Sequence, residues 1–267
     1  MNTLPVVLCF GGTDPTGGAG LTADTLTLAS LGCHAAPVVT AVTAQDTAGL
    51  KQFAACDPEL VIAQARAVLE DMPVAAIKTG MLVNALLTAA VESILQDYPA
   101  IPLIVDPVLA TNAGQPLADE PLNEALRALL VPRATLLTPN SLEARALAPS
   151  ADSLDACAQE LLSLGAEYVL ITGAHEPTAQ VVNRLHGARI TETFHYERLP
   201  GDYHGSGCTL AAACAAALAH GIDPVNAVIQ AQRYTWNTLR HGWPAGRGQS
   251  LPDRLFWARD QDFLGKS

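Results

Sequence analysis

The residues best placed for chemistry lie in two glycine-rich segments. His204-Gly205-Ser206-Gly207-Cys208-Thr209 runs into an alanine-rich stretch, Ala211 to Ala217, that reads as a helix. Successive backbone N–H groups at a helix start make an anion pocket, so Gly205, Ser206 and Gly207 are candidates to cradle a phosphate. Cys208 falls at the same start, where the helix dipole and neighbouring amides are expected to lower a thiol pKa. The other segment is Gly17-Gly18-Ala19-Gly20. Gly18 to Ala23 matches G-x-G-x-x-A, the dinucleotide fingerprint, but its glycines begin seven residues after the preceding strand instead of immediately. No acidic residue lies about 20 positions on to hold a ribose, which excludes that reading. What remains is a loop that lets backbone approach a small ligand closely, with Asp24 and Gln45 available to hydrogen-bond it.

Asp106, Asn140 and Glu143 combine two carboxylates with an amide. That set suits Mg²⁺, which keeps several waters and takes few protein ligands. A capping box, with Asn140 as N-cap and Glu143 at N3, is the competing reading of the same pair. Lys78 closes an apolar run in a chain whose only other lysines are Lys51 and Lys266, so a solvated surface charge is a poor description of it. Cys214 falls inside the alanine-rich helix and reads as core. The histidines other than His204 show no metal-ligand spacing.

These residues need a scaffold, and the apolar pattern supplies one. Val6 to Phe10, Ala35 to Val42, Val74 to Ile77, Leu103 to Val105, Ala134 to Leu137 and Tyr168 to Ile171 read as strands. Their near-continuous apolar character is that of parallel strands covered on both faces. Helices with recognisable starts lie between them: Asp57-Pro58, Asn84, and Ser153 before Leu154 to Leu164. Ala179 to Leu185 and Arg189 to Tyr196 read as an antiparallel pair joined through His186-Gly187, followed by helices at Cys208 to His220 and Pro224 to Arg240. The alternation predicts a doubly wound parallel sheet. With no linker or repeat, residues 1–267 read as one domain. Each strand is followed by polar or glycine residues: Gly11-Gly12, Thr43-Ala44-Gln45, Lys78-Thr79-Gly80-Met81, Asp106-Pro107, Thr138-Pro139-Asn140 and Thr172-Gly173. In a parallel sheet those ends share one edge, where open α/β folds bind ligands.

Composition narrows the class of ligand. The 267 residues are 49% hydrophobic and 15% charged, with a formal net charge of −11. Disorder is excluded, and so is general binding to nucleic acid or an anionic membrane. The longest apolar stretch, Cys208 to Ala219, is well short of the ~20 residues a bilayer requires. The N-terminus lacks a basic n-region, and the six cysteines form no C-x-x-C pair. Free thiols in a cytoplasmic protein are the expectation. A phosphate ligand must then be held by amides, helix starts and a metal ion.

In the order Gly11-Gly12-Thr13-Asp14-Pro15-Thr16-Gly17-Gly18-Ala19-Gly20, Asp24, Val42-Thr43-Ala44-Gln45-Asp46-Thr47, Lys78-Thr79-Gly80-Met81-Leu82, Val105-Asp106-Pro107-Val108, Thr138-Pro139-Asn140 with Glu143, and His204 to Leu210, the chain resembles the hydroxymethylpyrimidine/phosphomethylpyrimidine kinases of thiamine biosynthesis. The resemblance spans residues 5 to 257. It implies a ribokinase-like three-layer α/β/α sandwich with a mostly parallel central sheet. It also implies ATP-dependent phosphorylation of a pyrimidine hydroxymethyl group and, commonly, of the resulting monophosphate. Position by position, Gly12, Asp24, Gln45 and Met81 would bind the pyrimidine. Lys78, Asn140 and Thr172 would face the nucleotide, and Asp106 and Glu143 would manage Mg²⁺. Gly205, Ser206, Gly207 and Cys208 would hold the transferring phosphoryl group, with the Cys208 thiolate as base where many ribokinase-like enzymes carry aspartate. One departure stands out: the family's K-G-G-H segment reads Thr172-Gly173-Ala174-His175 here. Family members are often homodimers. A pyridoxal kinase of the same superfamily, and a non-catalytic ligand-binding protein on the same scaffold, are the competing readings.

Overall fold

The computed structural model describes residues 4–109 and 120–258. One face of each central strand meets one helical layer and the other face meets a second, and the alternation begins at β1 (Val6–Gly12). Val6, Leu8 and Phe10 pack into one apolar cluster, while Val7 and Cys9 pack into another on the opposite side. The strand is buried along its whole length, as a strand covered on both faces must be.

The remaining strands are β2 (His34–Asp46), β3 (Gly49–Ala55), β4 (Val74–Thr79), β5 (Leu103–Val105), β6 (Leu136–Leu137), β7 (Tyr168–Ile171), β8 (Gln180–Gly187) and β9 (Ile190–Glu197). They form one sheet in the order β3-β2-β1-β4-β5-β6-β7-β8-β9. The six from β2 to β7 in that order pair in parallel, and β3, β8 and β9 are antiparallel additions at the two edges. The chain crosses from β2 and β3 to the far side of β1, so the direction of winding reverses between β1 and β4. Such a switch point opens a crevice at the carboxyl ends of the strands.

Helices α1 (Gly20–Ser30), α7 (Ser206–Ala219) and α8 (Pro224–Arg240) cover one face of the sheet. The other is covered by α2 (Pro58–Leu69), α3 (Ala85–Leu95), α4 (Glu120–Ala125), α5 (Ser141–Leu147) and α6 (Leu154–Ser163). A π-helical turn at Leu126–Leu130 continues α4. Asp57, Asn84, Ser153 and Asp223 cap their helices with side-chain oxygens, at the expected cap positions. Helix α7 is buried from Thr209 to Ala217. Alanine suits it because it lies between α1 and α8 as well as on the sheet, and larger side chains would force those neighbours apart.

Three expectations from sequence need correction. The antiparallel pair β8–β9 turns at Ala188-Arg189, not at His186-Gly187, which belongs to β8. Strand β2 runs on through Thr43, Ala44 and Gln45 instead of ending before them. Strand β3 has no counterpart in the apolar pattern because it is an exposed edge strand with nothing to bury. It exists because Asp46 Oδ1 accepts the N–H groups of Ala48 and Gly49 at 2.9 and 3.2 Å and folds the chain back on β2.

Phe10 is fully buried one residue before the Gly11-Gly12 pair. Phe10→Ala is expected to destabilise the fold by ~3–5 kcal/mol. Urea unfolding at unchanged m-value checks this, and a loss under ~1 kcal/mol would contradict the packing described.

Candidate active site

At the carboxyl edge of the sheet lies a cavity of about 630 Å³. Lining it are Gly12, Asp24, Gln45, Lys78, Met81, Asp106, Asn140, Glu143, Thr172, Gly205, Ser206, Gly207 and Cys208, whereas of the first glycine loop Ala19 and Gly20 reach it and Gly17 and Gly18 do not.

At the base of the cavity is an ion pair that sequence did not reveal. Lys78 comes from β4 and Asp24 from α1, and both are fully buried. Lys78 Nζ donates to both Asp24 oxygens at 3.0 Å and lies 3.9 Å from Asp106 Oδ2. Burial alone would push the ammonium pKa down. The Asp24 carboxylate, helped by Asp106, outweighs burial and holds it above the ordinary lysine range. Lys78 is therefore charged, and Asp24 is its counter-ion before it is a ligand for anything else.

Asn140 and Glu143 form the capping box: Asn140 Oδ1 accepts from the N–H groups of Leu142 and Glu143, and Glu143 Oε2 accepts from Asn140 N–H at 2.8 Å. The same Glu143 faces the cavity, so capping and ligand binding do not exclude each other. Burial pushes the Asp106 carboxyl up to about 6, with Asp24 adding to it and Lys78 only partly opposing. Burial and then the Asp106 charge push Glu143 up to about 8. Asp106 Oδ2 is buried without a hydrogen bond. Two buried carboxyls both pushed upward, one with an unmet oxygen, fit a divalent cation. Among the described residues no cluster of three His, Cys, Asp or Glu side chains could hold a metal. Mg²⁺ remains compatible with that, because water fills most of its shell.

Helix α7 begins at Ser206 with no side-chain cap, and its N-cap Gly205 sits at φ 81°. Among the described residues the N–H groups of Ser206, Gly207 and Cys208 meet no acceptor, which leaves the expected anion pocket open. The two glycine loops press on each other. A Cβ on Gly205 would lie 2.0 Å from the Gly18 carbonyl oxygen, and one on Gly18 would lie 2.4 Å from the His204 ring. His204 Nε2 lies 2.9 Å from Asp14 Oδ2, and the buried Asp14 carboxylate also accepts from Thr16 and Ala19. Asp14 and His204 belong to the glycine motifs, yet only their contact across 190 residues shows them as braces of the site. Thr43 and Thr13 are further additions. Gln45 Nε2 donates to Thr43 Oγ1 at 2.9 Å, and Thr43 Oγ1 donates to the Thr13 carbonyl at 2.7 Å. Their order fixes the Gln45 amide with its nitrogen inward on the protein. The Met81 sulfur lies 3.1 Å from where a Gly12 Cβ would sit, so these two residues expected to bind the pyrimidine are neighbours.

The expectation for the Cys208 thiol is wrong in direction. Burial pushes its pKa up to about 12; Lys78 opposes this, but the Asp106 and Asp24 charges add to it. Two buried carboxylates and desolvation outweigh the helix start, so the thiol is neutral at pH 7.

A mostly parallel nine-stranded sheet between two helical layers, with amides and carboxylates gathered at its carboxyl edge, defines a ribokinase-like kinase. The sequence profile of the phosphomethylpyrimidine kinase family matches residues 14–253, and the chain belongs to that family. It is 42% identical over 261 residues to the hydroxymethylpyrimidine/phosphomethylpyrimidine kinase of Mycobacterium tuberculosis H37Rv, covering 95% of each chain. Among solved structures, the phosphomethylpyrimidine kinase of Clostridium difficile superposes with a TM-score of 0.78 at 30% identity, covering 89% of this chain and 100% of that one. The Staphylococcus aureus pyridoxal kinase in complex with AMP-PCP and pyridoxal gives 0.87 at 26% identity, covering 96% of each.

Glu143 and Cys208 give two measurable outcomes. Folded Glu143 keeps its proton up to about pH 8, whereas its ordinary value is 4.5. Its stabilising contribution is thus complete below pH 4.5 and lost as pH rises through 8. Without divalent ions, Tm should fall across that window, and fall less in Glu143→Gln. Mg²⁺ should restore Tm most at the alkaline end. Equal profiles for parent and variant would contradict the assignment. For Cys208, alkylation by iodoacetamide near neutral pH should be much slower than for a free thiol. Rapid alkylation at that position would show a lowered pKa instead.

Proposed function

We propose that this protein transfers the γ-phosphoryl group of ATP to the hydroxymethyl group of 4-amino-5-hydroxymethyl-2-methylpyrimidine, and then phosphorylates the monophosphate to the diphosphate, in thiamine biosynthesis. One observation carries the reading. A second cavity of about 270 Å³, lined in part by Tyr196, Arg198 and Trp236, shares Thr172, Ala174, His175, Ser206, Gly207 and Leu210 with the first. The open amides of α7 thus sit where two pockets meet, which together leave room for two reactants.

The pyrimidine ring lies against Gly12 and the Met81 thioether, with the Gln45 carbonyl oxygen accepting from the exocyclic amine. The amides of Ser206, Gly207 and Cys208 receive the phosphoryl oxygens, and Lys78 adds fixed positive charge beneath them. Asp106 and Glu143 would hold Mg²⁺ and its waters, and Asn140 orients Glu143 through the capping box. Mg²⁺ there would neutralise the charge on the nucleotide phosphates. Thr172 offers the nucleotide a hydroxyl where relatives offer an ammonium. Phosphoryl transfer passes through a loose transition state, which demands positioning and charge stabilisation more than early proton removal. A neutral Cys208 thiol is consistent with that demand. The reading includes a cytoplasmic location and a homodimer. Sedimentation of the purified protein tests the dimer.

A coupled ATP-consumption assay with hydroxymethylpyrimidine, its monophosphate and pyridoxal tests the activity. Turnover with pyridoxal alone would favour the pyridoxal kinase reading, and no turnover with any would favour a binding protein. Gln45→Leu should weaken hydroxymethylpyrimidine binding by ~1–3 kcal/mol, because polar ligand atoms lose their partner. Parent-like affinity by calorimetry would sink the role given to Gln45.

A further inference from the structure

The chain segment after α8 returns to the site and touches both glycine loops and the β2–β3 hairpin. Gln249 N–H donates to the Thr47 carbonyl at the tip of the β2–β3 hairpin, and His204 N–H donates to the Ser250 carbonyl. The segment then places Arg254 behind the anion pocket. Arg254 is 3% exposed and does not line the site cavity. Its Nε donates to Thr209 Oγ1 at 3.1 Å, its Nη2 to the Gly18 carbonyl at 2.6 Å and its Nη1 to the Gly17 carbonyl at 3.4 Å. Thr209 Oγ1 passes a hydrogen bond on to the Gly205 carbonyl at 2.8 Å.

We propose that Arg254 is a positioning residue for phosphoryl transfer, setting the geometry and the electrostatic potential of the amide pocket at the start of α7. This rests on the kinase reading above. Two carbonyl dipoles, from Gly17 and Gly18, crowd the place where the two glycine loops meet. Left without donors, they would add negative potential beside an arriving phosphoryl group. The planar guanidinium fork holds Gly17 and Gly18 directly and, through Thr209, reaches the Gly205–Ser206 peptide whose N–H faces the pocket.

The charge itself points the same way. A buried cation is costly unless an anion compensates it. Every hydrogen-bond acceptor of Arg254 is neutral, and the carboxylates of Asp24 and Asp14 act on it only through space. Lys78, by contrast, is matched by Asp24. An anion seated on the amides of Ser206, Gly207 and Cys208 would add to that compensation, and the phosphoryl group gains charge stabilisation there without Arg254 entering the cavity.

The test is steady-state kinetics of Arg254→Gln and Arg254→Lys with hydroxymethylpyrimidine and with pyridoxal, each variant checked by thermal melting. Arg254→Gln should lower kcat by ~10²-fold and leave KM for the aromatic alcohol within about twofold of the parent. Arg254→Lys, which keeps charge without the fork, should fall between parent and Arg254→Gln, and added guanidinium should partly restore Arg254→Gln. Parent-like kcat in a folded Arg254→Gln protein would overturn the proposal. A loss confined to KM would overturn it too, as would a loss recovered neither by guanidinium nor in Arg254→Lys. Should Arg254→Gln fail to fold, Thr209→Val cuts only the relay to Gly205. It should lower kcat by ~10-fold, and parent-like turnover would again overturn the proposal. A parent enzyme active on pyridoxal alone fails the substrate reading and leaves this test intact; a parent that consumes no ATP with either alcohol overturns both.

Discussion

The Lys78–Asp24 ion pair is the constraint on which the site depends. It joins a central strand to the first helix inside the protein, at a point where water cannot solvate either group. Removing one partner from such a pair leaves a buried charge and typically costs ~3–5 kcal/mol, so both residues are bound to structure as well as to chemistry. The pair also sets the potential for its neighbours. Asp106 stands 3.9 Å from the ammonium, yet its carboxyl and that of Glu143 are still pushed upward. One lysine is too little positive charge for three buried carboxylates. A cation-hungry corner is the result, within a protein of net charge −11.

The glycine loops address the opposite need, for positive potential. They supply it with backbone, and backbone can come this close only where side chains are absent. Gly18 and Gly205 occupy positions where a single added carbon would lie 2.4 Å from the His204 ring or 2.0 Å from a carbonyl oxygen. Positive φ at Gly205 adds a second reason for glycine there. Corners of opposite potential therefore lie side by side: carboxylates at the ends of β5 and β6, amides at the start of α7.

Much of this was legible in the residues. β5, β7 and α8 fall where the apolar pattern puts them, and the ordered motifs all reach one cavity. The polar residues that follow parallel strands share an edge by geometry, which makes such a site readable without coordinates. What escaped was long-range or electrostatic. Lys78 and Asp24 are 54 positions apart, and nothing local to either marks the other as its partner. Arg254 sits in an ordinary-looking Pro-Asp-Arg-Leu stretch and acquires its surroundings only when the chain end folds back. The Cys208 thiol was misjudged because a helix start raises acidity by local rule, while the opposing carboxylates arrive from α1 and from the loop after β5. Strand β3 was missed for a simpler reason: an edge strand exposed along most of its length leaves no apolar signature.

The hairpin that carries Gln45 and Leu50 to the cavity is tied at its tip to the returning segment. Thr47 accepts from the backbone N–H of Gly248 through its hydroxyl at 3.0 Å and from that of Gln249 through its carbonyl at 2.8 Å. A Cβ on Gly248 would meet the same Thr47 carbonyl oxygen at 2.1 Å, so the two chains are seated as closely as backbone allows. Widening the ring-binding side therefore requires either parting this latch or dragging along the segment that ends in Arg254. Entry of one reactant and readiness for the other are thereby mechanically linked, with two hydrogen bonds as the hinge pin.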